Sequence, residues 1–308
     1  MNIHDNNGPD DKDRHSLPED LNNDLEAYKR SEDDKISLTD SEVENALGNV
    51  LGQIEDVEQD KAEPTSGFSF NWKLMAIAAT ISFVGMLFIL SIPISVQVPN
   101  GETATVSLPD GTEITLNSGS ELTYSRFYNY LGRNVTLTGE GYFDVYSDPE
   151  DPFTVTTANS VVKVLGTEFN LTDWGVSSGP KAKLAVAEGS VEFTELKENR
   201  SLVLNQNETA VITESSEITS ASAELDNILA WLSNNIAFQN DNLNDAFNLL
   251  ERRFDIQIQR DQDLALQSEN ITAFYHQPND PESIIQDICT IKGLNYQKIH
   301  NGYRISAN

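Results

Sequence analysis

The feature that most constrains this chain is an apolar run from Leu74 to Ile92 that contains no charged side chain. An α-helix of that length extends about 28 Å, close to the roughly 30 Å hydrocarbon core of a bilayer. Trp72 and Lys73 precede the run, where aromatic and basic side chains anchor spanning helices at the interface, and Pro93 follows it. The run therefore predicts one transmembrane helix over residues 73–94.

The basic residues on either side of this run predict its orientation. Lys61 and Lys73 lie on the N-terminal side, whereas the next basic residue on the C-terminal side is Arg126. Because positively charged flanks stay in the cytoplasm, we expect a cytoplasmic N-terminus and an exported C-terminal part.

The overall composition excludes several classes of function. The chain has 20 Lys and Arg against 49 Asp and Glu, a net charge of −29, which argues against a nucleic-acid-binding surface. Its single cysteine, Cys289, rules out an intramolecular disulfide and a multi-thiolate zinc site. The sequence contains no Walker A loop and no G-x-S-x-G nucleophile elbow, and its four histidines are scattered. We therefore expect no enzymatic activity, no cofactor and no metal.

Residues 1–72 form an acidic segment with two short apolar stripes at helical spacing. The first stripe contains Leu17, Leu21, Leu25 and Tyr28, and the second contains Val43, Leu47, Val50 and Ile54. Two interpretations stay open for this segment. It is either a partly disordered tail with nascent helices, or a segment that folds on a partner by placing each stripe in a groove.

The stretch 96–213 alternates short β-type runs with turn residues. Turn signals include Asn100-Gly101, Pro109-Asp110-Gly111 and Asp148-Pro149. Many short, closely spaced strands are typical of an all-β sandwich, barrel or solenoid. Within these strands we predict Tyr142, Phe143, Val145, Val164, Leu165 and Phe169 in the core, and Glu140, Asp144 and Lys163 on a solvated face.

The C-terminal part changes pattern. Residues 214–235 are predicted as a linker with a short helix, and residues 236–308 as a strand–helix–strand unit that occurs twice. The two helices are predicted to bury Leu243, Ala246, Phe247 and Leu250 in the first unit, and Ile284, Ile285, Ile288 and Cys289 in the second.

Several ordered motifs resemble a known family. The stretches VSLPDGTEITLNSGSELTYS (Val106–Ser125), NVTLTGEGYFDV with its continuation to GTEFNL (Asn134–Leu171), and AVAEGSVEF (Ala185–Phe193) resemble a FecR domain. The run Val203–Ile212 departs from that pattern, because it lacks the family's Pro-Gly. The phrase from Phe238 to Ile256 resembles the C-terminal domain of FecR proteins and the short N-terminal domain of secretins and TonB-dependent receptors.

This resemblance implies a mainly β FecR-type domain, a solenoid or sandwich, followed by a small α+β module. It also implies a regulator of the bacterial inner membrane, with the N-terminus cytoplasmic and the C-terminal domains periplasmic. Such an anti-sigma regulator relays a signal from an outer-membrane TonB-dependent transducer to an extracytoplasmic-function sigma factor.

The implied partners suggest two sets of site residues. The candidate sigma-factor contacts are Leu21, Leu25, Tyr28, Val43, Leu47, Val50 and Ile54, and the candidate signal-receiving residues are Ile236, Phe238, Ile256 and Ile258. A second hypothesis is a tethered envelope-binding module that recognises cell-wall glycan or an envelope protein, with the N-terminal segment as a tail.

Overall fold

A computed structural model describes Ser41, Asn45 and residues 72–175, 180–261, 264, 266 and 269–307. The chain divides into two compact units, Met1–Asn71 and Trp72–Asn308. The elements named below belong to the second unit. The two stripes predicted to bind a sigma factor, between Leu21 and Ile54, lie outside the described residues.

The second unit begins with helix α1 (Trp72–Ser91). The prediction of a transmembrane helix is wrong, because no helix in the described part of the chain is both long enough and apolar enough to cross a membrane. The fold class is corrected accordingly to a mainly β chain with an α+β module.

Thirteen strands form the β domain within these residues. They are β1 (Ile94–Gln97), β2 (Ala104–Ser107), β3 (Glu113–Leu116), β4 (Glu121–Tyr124), β5 (Arg133–Asp144), β6 (Phe153–Thr156), β7 (Ser160–Val164), β8 (Glu168–Asp173), β9 (Ala182–Glu188), β10 (Ser190–Glu195), β11 (Arg200–Asn205), β12 (Glu208–Ile212) and β13 (Ile218–Ser222).

Strand β5 joins the two halves of this sheet. Its first half pairs with β4 and, in parallel, with β6, while its second half pairs with β3 and β8. Side chains alternate between buried and more exposed along the whole strand, so one face stays directed at the core. The sheet is therefore continuous and barrel-like, which corrects the expected solenoid or sandwich.

Aromatic side chains fill the interior of the β domain. Phe143 on β5 stacks on Phe169 of β8 with ring centroids 4.8 Å apart, and Phe153 lies 6.2 Å from Phe143. All three are fully buried. Stacked and tilted aromatic pairs of this kind stabilise a core by about 0.5–1.5 kcal/mol beyond the area that they bury.

A buried ion pair links the LPDG turn to the start of β5. Arg133 Nε lies 2.8 Å from Asp110 Oδ2, and the two side chains are only 1% and 4% exposed. The guanidinium also donates to the carbonyls of Asp151 at 2.9 Å and Tyr146 at 2.6 Å, while the Tyr128 hydroxyl donates to Asp110 at 2.8 Å. The pair is thus fully hydrogen-bonded, which is the condition under which a buried ion pair is tolerated.

The Asp110 carboxylate makes the stability of the β domain sensitive to acid. Burial alone would raise the pKa of Asp110, but hydrogen bonds from the Thr112 amide, Tyr128 and Arg133 lower it below its ordinary value. A carboxylate whose pKa is lowered on folding stabilises the fold above its unfolded pKa, and this contribution is lost as the pH falls through the folded pKa. We expect the urea concentration at the midpoint of unfolding to fall as the pH is lowered below about 4. In that pH range, the plots of midpoint against pH for the parent chain and for Asp110→Asn should converge. Parallel curves for the two chains would contradict this expectation.

The α+β module follows the short helix α2 (Leu225–Ile228) and a 3₁₀-helix (Ala230–Ser233). Its elements are β14 (Ile236–Asn242), α3 (Leu243–Phe254), β15 (Gln257–Arg260), β16 (Asn270–Tyr275), α4 (Pro281–Lys292), β17 (Leu294–Ile299) and β18 (Gly302–Ala307). Strand β14 pairs with β16, and β18 lies between β15 and β17. The predicted buried faces of α3 and α4 are confirmed, and Asn242 and Asp280 cap the two helices.

Candidate functional site

A cleft of about 540 Å³ lies between the β domain and the α+β module. Strands β5, β8 and β9 contribute one wall, and the 3₁₀-helix, β14 and α3 contribute the other. Its volume falls within the roughly 300–1,000 Å³ that is usual for small-molecule sites in proteins. The cleft is lined by both charged and aromatic side chains, and its chemistry depends on how each of them is already engaged.

The carboxylate of Glu140 organises the β-domain wall. Its Oε2 accepts from Asn117 Nδ2 at 2.8 Å, and its Oε1 accepts from Asn170 Nδ2 at 3.0 Å and Thr172 Oγ1 at 3.2 Å. Asn170 in turn accepts, through its Oδ1, a hydrogen bond of 3.2 Å from Trp231 Nε1. Because Trp231 belongs to the 3₁₀-helix, this chain of hydrogen bonds connects β5 to the segment that leads into the module.

Arg252 on α3 reaches across the cleft to the β domain. The carbon of its guanidinium lies 3.8 Å from the centre of the Trp174 ring, which follows β8. Its backbone carbonyl accepts a 2.7 Å hydrogen bond from the amide of Gly101. An Arg stacked at this distance over Trp is a cation–π contact, worth about 0.5–2 kcal/mol depending on desolvation.

Burial changes the acid–base behaviour of Arg252. Desolvation lowers the pKa of its guanidinium, against the attraction of the Glu140, Asp245 and Glu251 carboxylates, which raises it. Arginine nevertheless stays protonated in proteins, so the group remains a cation. The cleft therefore holds a positive charge that has lost much of its hydration.

A second ionic contact between the two walls is closer to the surface. Lys183 Nζ on β9 lies 2.8 Å from Asp241 Oδ1 on β14, with side chains 44% and 21% exposed. An ion pair that is this accessible to water contributes about 0–1 kcal/mol to stability. The two walls are thus joined mainly by the contacts of Trp231 and Arg252.

The candidate signal-receiving residues lie on or next to strands β14 and β15 of the α+β module. Ile236, Phe238 and Ile258 are buried in its core, and Ile256 packs against that core. Ile236 and Phe238 also line the cleft. Their role in receiving a signal stays a prediction, as does the role of the N-terminal stripes.

Sequence reasoning missed the residues that shape the cleft. It placed Glu140 on a solvated face, whereas this side chain is half-buried and hydrogen-bonded inside the cleft. Two signals were available, namely Trp174 directly after a strand and the Arg252-Arg253 pair in a strongly acidic chain. As for metals, the described residues include no group of three or more His, Cys, Asp or Glu side chains that could hold an ion.

A barrel-like β domain followed by a duplicated α+β module, with a cleft between them, defines a two-part architecture that matches known protein families. Residues 94–192 match the family model described as FecR protein, and residues 235–305 match the model described as FecR, C-terminal. The chain belongs to the FecR family.

Two solved structures share this architecture. They are crystal structures, at 2.50 and 1.65 Å resolution, of a candidate anti-sigma factor from Parabacteroides distasonis, and each is 26% identical to this chain. The TM-scores are 0.65 and 0.64; both alignments cover 70% of this chain, and they cover 100% and 99% of the solved chains. A comparison with curated proteins found no match. Both solved structures are described as candidate anti-sigma factors, and neither is described as an enzyme.

Proposed function

We propose that this chain is an anti-sigma regulator that binds an extracytoplasmic-function sigma factor through its N-terminal segment and receives a signal through its C-terminal domains. The observation that carries the proposal is the consecutive match to both FecR models, together with the likeness to candidate anti-sigma factors at a TM-score of 0.65. The protein acts in this role by binding, without catalysis.

The apolar stripes of the N-terminal segment are the proposed sigma-factor contacts. Val43, Leu47 and Val50 recur at helical spacing, so a helix would present them together to a groove. The acidic residues around them would favour a partner with a basic surface, which many nucleic-acid-binding proteins have.

The α+β module is the proposed signal receiver, and an outer-membrane TonB-dependent transducer is its proposed partner. Among the described strands, β14 pairs only with β16, and its other edge is the proposed contact for a partner strand. The cellular compartments of the two parts stay a prediction from the sequence.

The proposal predicts a change in transcription when the second stripe is removed. In the native organism, alanine at Val43, Leu47 and Val50 should alter transcription from the promoters of one extracytoplasmic-function sigma factor, because the regulator can no longer hold it. Genome-wide RNA sequencing measures the effect. The matched control is Asn45→Ala, which introduces alanine at an exposed polar residue within the same short stretch. An unchanged transcript profile in the triple variant, with the protein present at its normal level, would exclude this stripe as the sigma contact.

A further inference from the structure

We propose that the cleft between the β domain and the α+β module binds a small molecule that carries a carboxylate or phosphate group, with Arg252 as the anchor. This inference goes beyond the proposed function and does not depend on sigma-factor binding. Arginine side chains are suited to this role, because their planar fork of N–H donors matches the geometry of an oxyanion.

The side chain of Arg252 has hydrogen-bond donors that no described residue engages. Its guanidinium carries five N–H donors, yet within the described residues its side chain has no hydrogen bond and no salt bridge. Over the same residues, the one fully buried side-chain polar atom without a hydrogen-bond partner is Arg260 Nε. The nitrogens of Arg252 are therefore not fully buried, and they are accessible from the cleft.

Two other arginines in the same chain differ from Arg252 in their hydrogen bonds. Arg133, which is fully buried, has its guanidinium occupied by Asp110 and two backbone carbonyls. Arg260 donates to Asn244, Asn248 and Glu251 at 2.6–2.9 Å. Among the described residues, the fold thus supplies acceptors to both of these guanidinium groups, with Arg260 Nε left over, and supplies none to Arg252.

The nearby carboxylates do not balance the charge of Arg252 through a hydrogen bond. Among the carboxylates that attract Arg252, Glu140 already has both oxygens engaged by Asn117, Asn170 and Thr172. A cation that has lost hydration without gaining a hydrogen-bonded anion is unfavourable. An oxyanion in the plane of the guanidinium would supply the missing acceptors, and Trp174 would hold that plane in place from one side.

The volume of the cleft indicates the size of the ligand. A cleft of about 540 Å³ is larger than a simple anion needs, so the ligand has a body as well as a charged group. The rest of the lining offers neutral polar side chains, including Ser118, Asn235 and Asn248, the indole of Trp231, and charged side chains of both signs. These groups suit a polar organic acid or an organic phosphate.

The experiment uses the full chain and two simple probes, sodium acetate for a carboxylate and inorganic phosphate for a phosphate. Each is titrated at constant ionic strength against sodium chloride, and binding is followed by tryptophan fluorescence, because Trp174 and Trp231 both line the cleft. We expect a saturable change with at least one probe. Arg252→Gln should weaken its apparent affinity by about tenfold or more, as expected for the loss of a charged hydrogen bond.

The matched control is Arg304→Gln, which removes the same charge from β18, outside the lining of the cleft. The Arg304 guanidinium already pairs with Asp261, so this variant should bind the probe with nearly unchanged affinity. If Arg252→Gln does not fold, Arg252→Lys replaces it in the test. This variant keeps the charge but loses the planar fork of N–H donors, so its affinity for the probe should be lower than that of the parent chain. A response to acetate alone identifies a carboxylate site, and a response to phosphate alone identifies a phosphate site. The absence of a saturable response in the parent chain, or an equal response in Arg252→Gln or Arg252→Lys, would overturn the proposal.

Discussion

Replacing Arg133 by alanine should destabilise the β domain by about 3–5 kcal/mol, because the substitution leaves the buried Asp110 carboxylate without its counter-charge. It also leaves the carbonyls of Asp151 and Tyr146 without the donors that now satisfy them. Native proteins are stable by only about 5–15 kcal/mol, so this loss is a large fraction of the total. Urea denaturation followed by circular dichroism measures the change in the free energy of unfolding.

The control for this prediction is Arg200→Ala, which removes an exposed arginine at the start of the edge strand β11. It should change the free energy of unfolding by no more than about 0.5 kcal/mol. The double variant Arg133→Met with Asp110→Leu should lose less stability than the sum of the two single changes, because neither charge is then left unpaired. Equal effects of Arg133→Ala and Arg200→Ala would show that the buried pair does not stabilise the fold.

Replacing Gly302 by alanine should disrupt the three-stranded sheet of the α+β module. Gly302 has a φ of +145°, and a Cβ there would overlap the backbone oxygen of Gln257 on the neighbouring strand. That atom belongs to the backbone and cannot rotate away, so β15 and β18 would have to separate. The strained backbone and the overlap together should cost about 2–6 kcal/mol.

The chain provides a matched glycine for this test. Gly293 ends helix α4 with a φ of +65°, and a Cβ there would meet no atom within 4 Å. Gly293→Ala should therefore cost only the left-handed backbone conformation, about 1–2 kcal/mol. Thermal unfolding of both variants separates the steric effect from the conformational one, and equal losses would exclude the close approach of β15 to Gly302 as the cause.

Much of the fold could be predicted because it depends on local patterns. The spacing of Leu243, Phe247 and Leu250 predicted a buried helix face, and that face is buried. Along the β strands, alternation placed Phe143 and Val164 correctly in the core, whereas Leu165, also predicted there, is 47% exposed. Leu165 comes directly after β7, where the alternation of the strand no longer decides which way a side chain points.

The cleft could not be predicted in this way, because it depends on contacts between distant parts of the chain. Trp174 and Arg252 meet only after α3 packs beside the end of β8. Glu140 was misjudged for the same reason, since its acceptors are filled by residues from two other places in the sequence, Asn117 and strand β8. The run from Leu74 to Ile92 was also predicted to cross a membrane, from its length, its lack of charge and its flanking residues, whereas no helix in the described part of the chain is long and apolar enough to do so.

The most direct test of the proposed function is to capture the full-length chain from a lysate of its native organism and identify the proteins that accompany it by mass spectrometry. The account predicts that one extracytoplasmic-function sigma factor is recovered. It also predicts that the factor is lost from the Leu47→Glu, Val50→Glu variant. The loss of two hot-spot contacts at about 2 kcal/mol each weakens binding by about 10³-fold. Recovery of no sigma factor by an intact, correctly folded chain would contradict the account and favour the envelope-binding hypothesis.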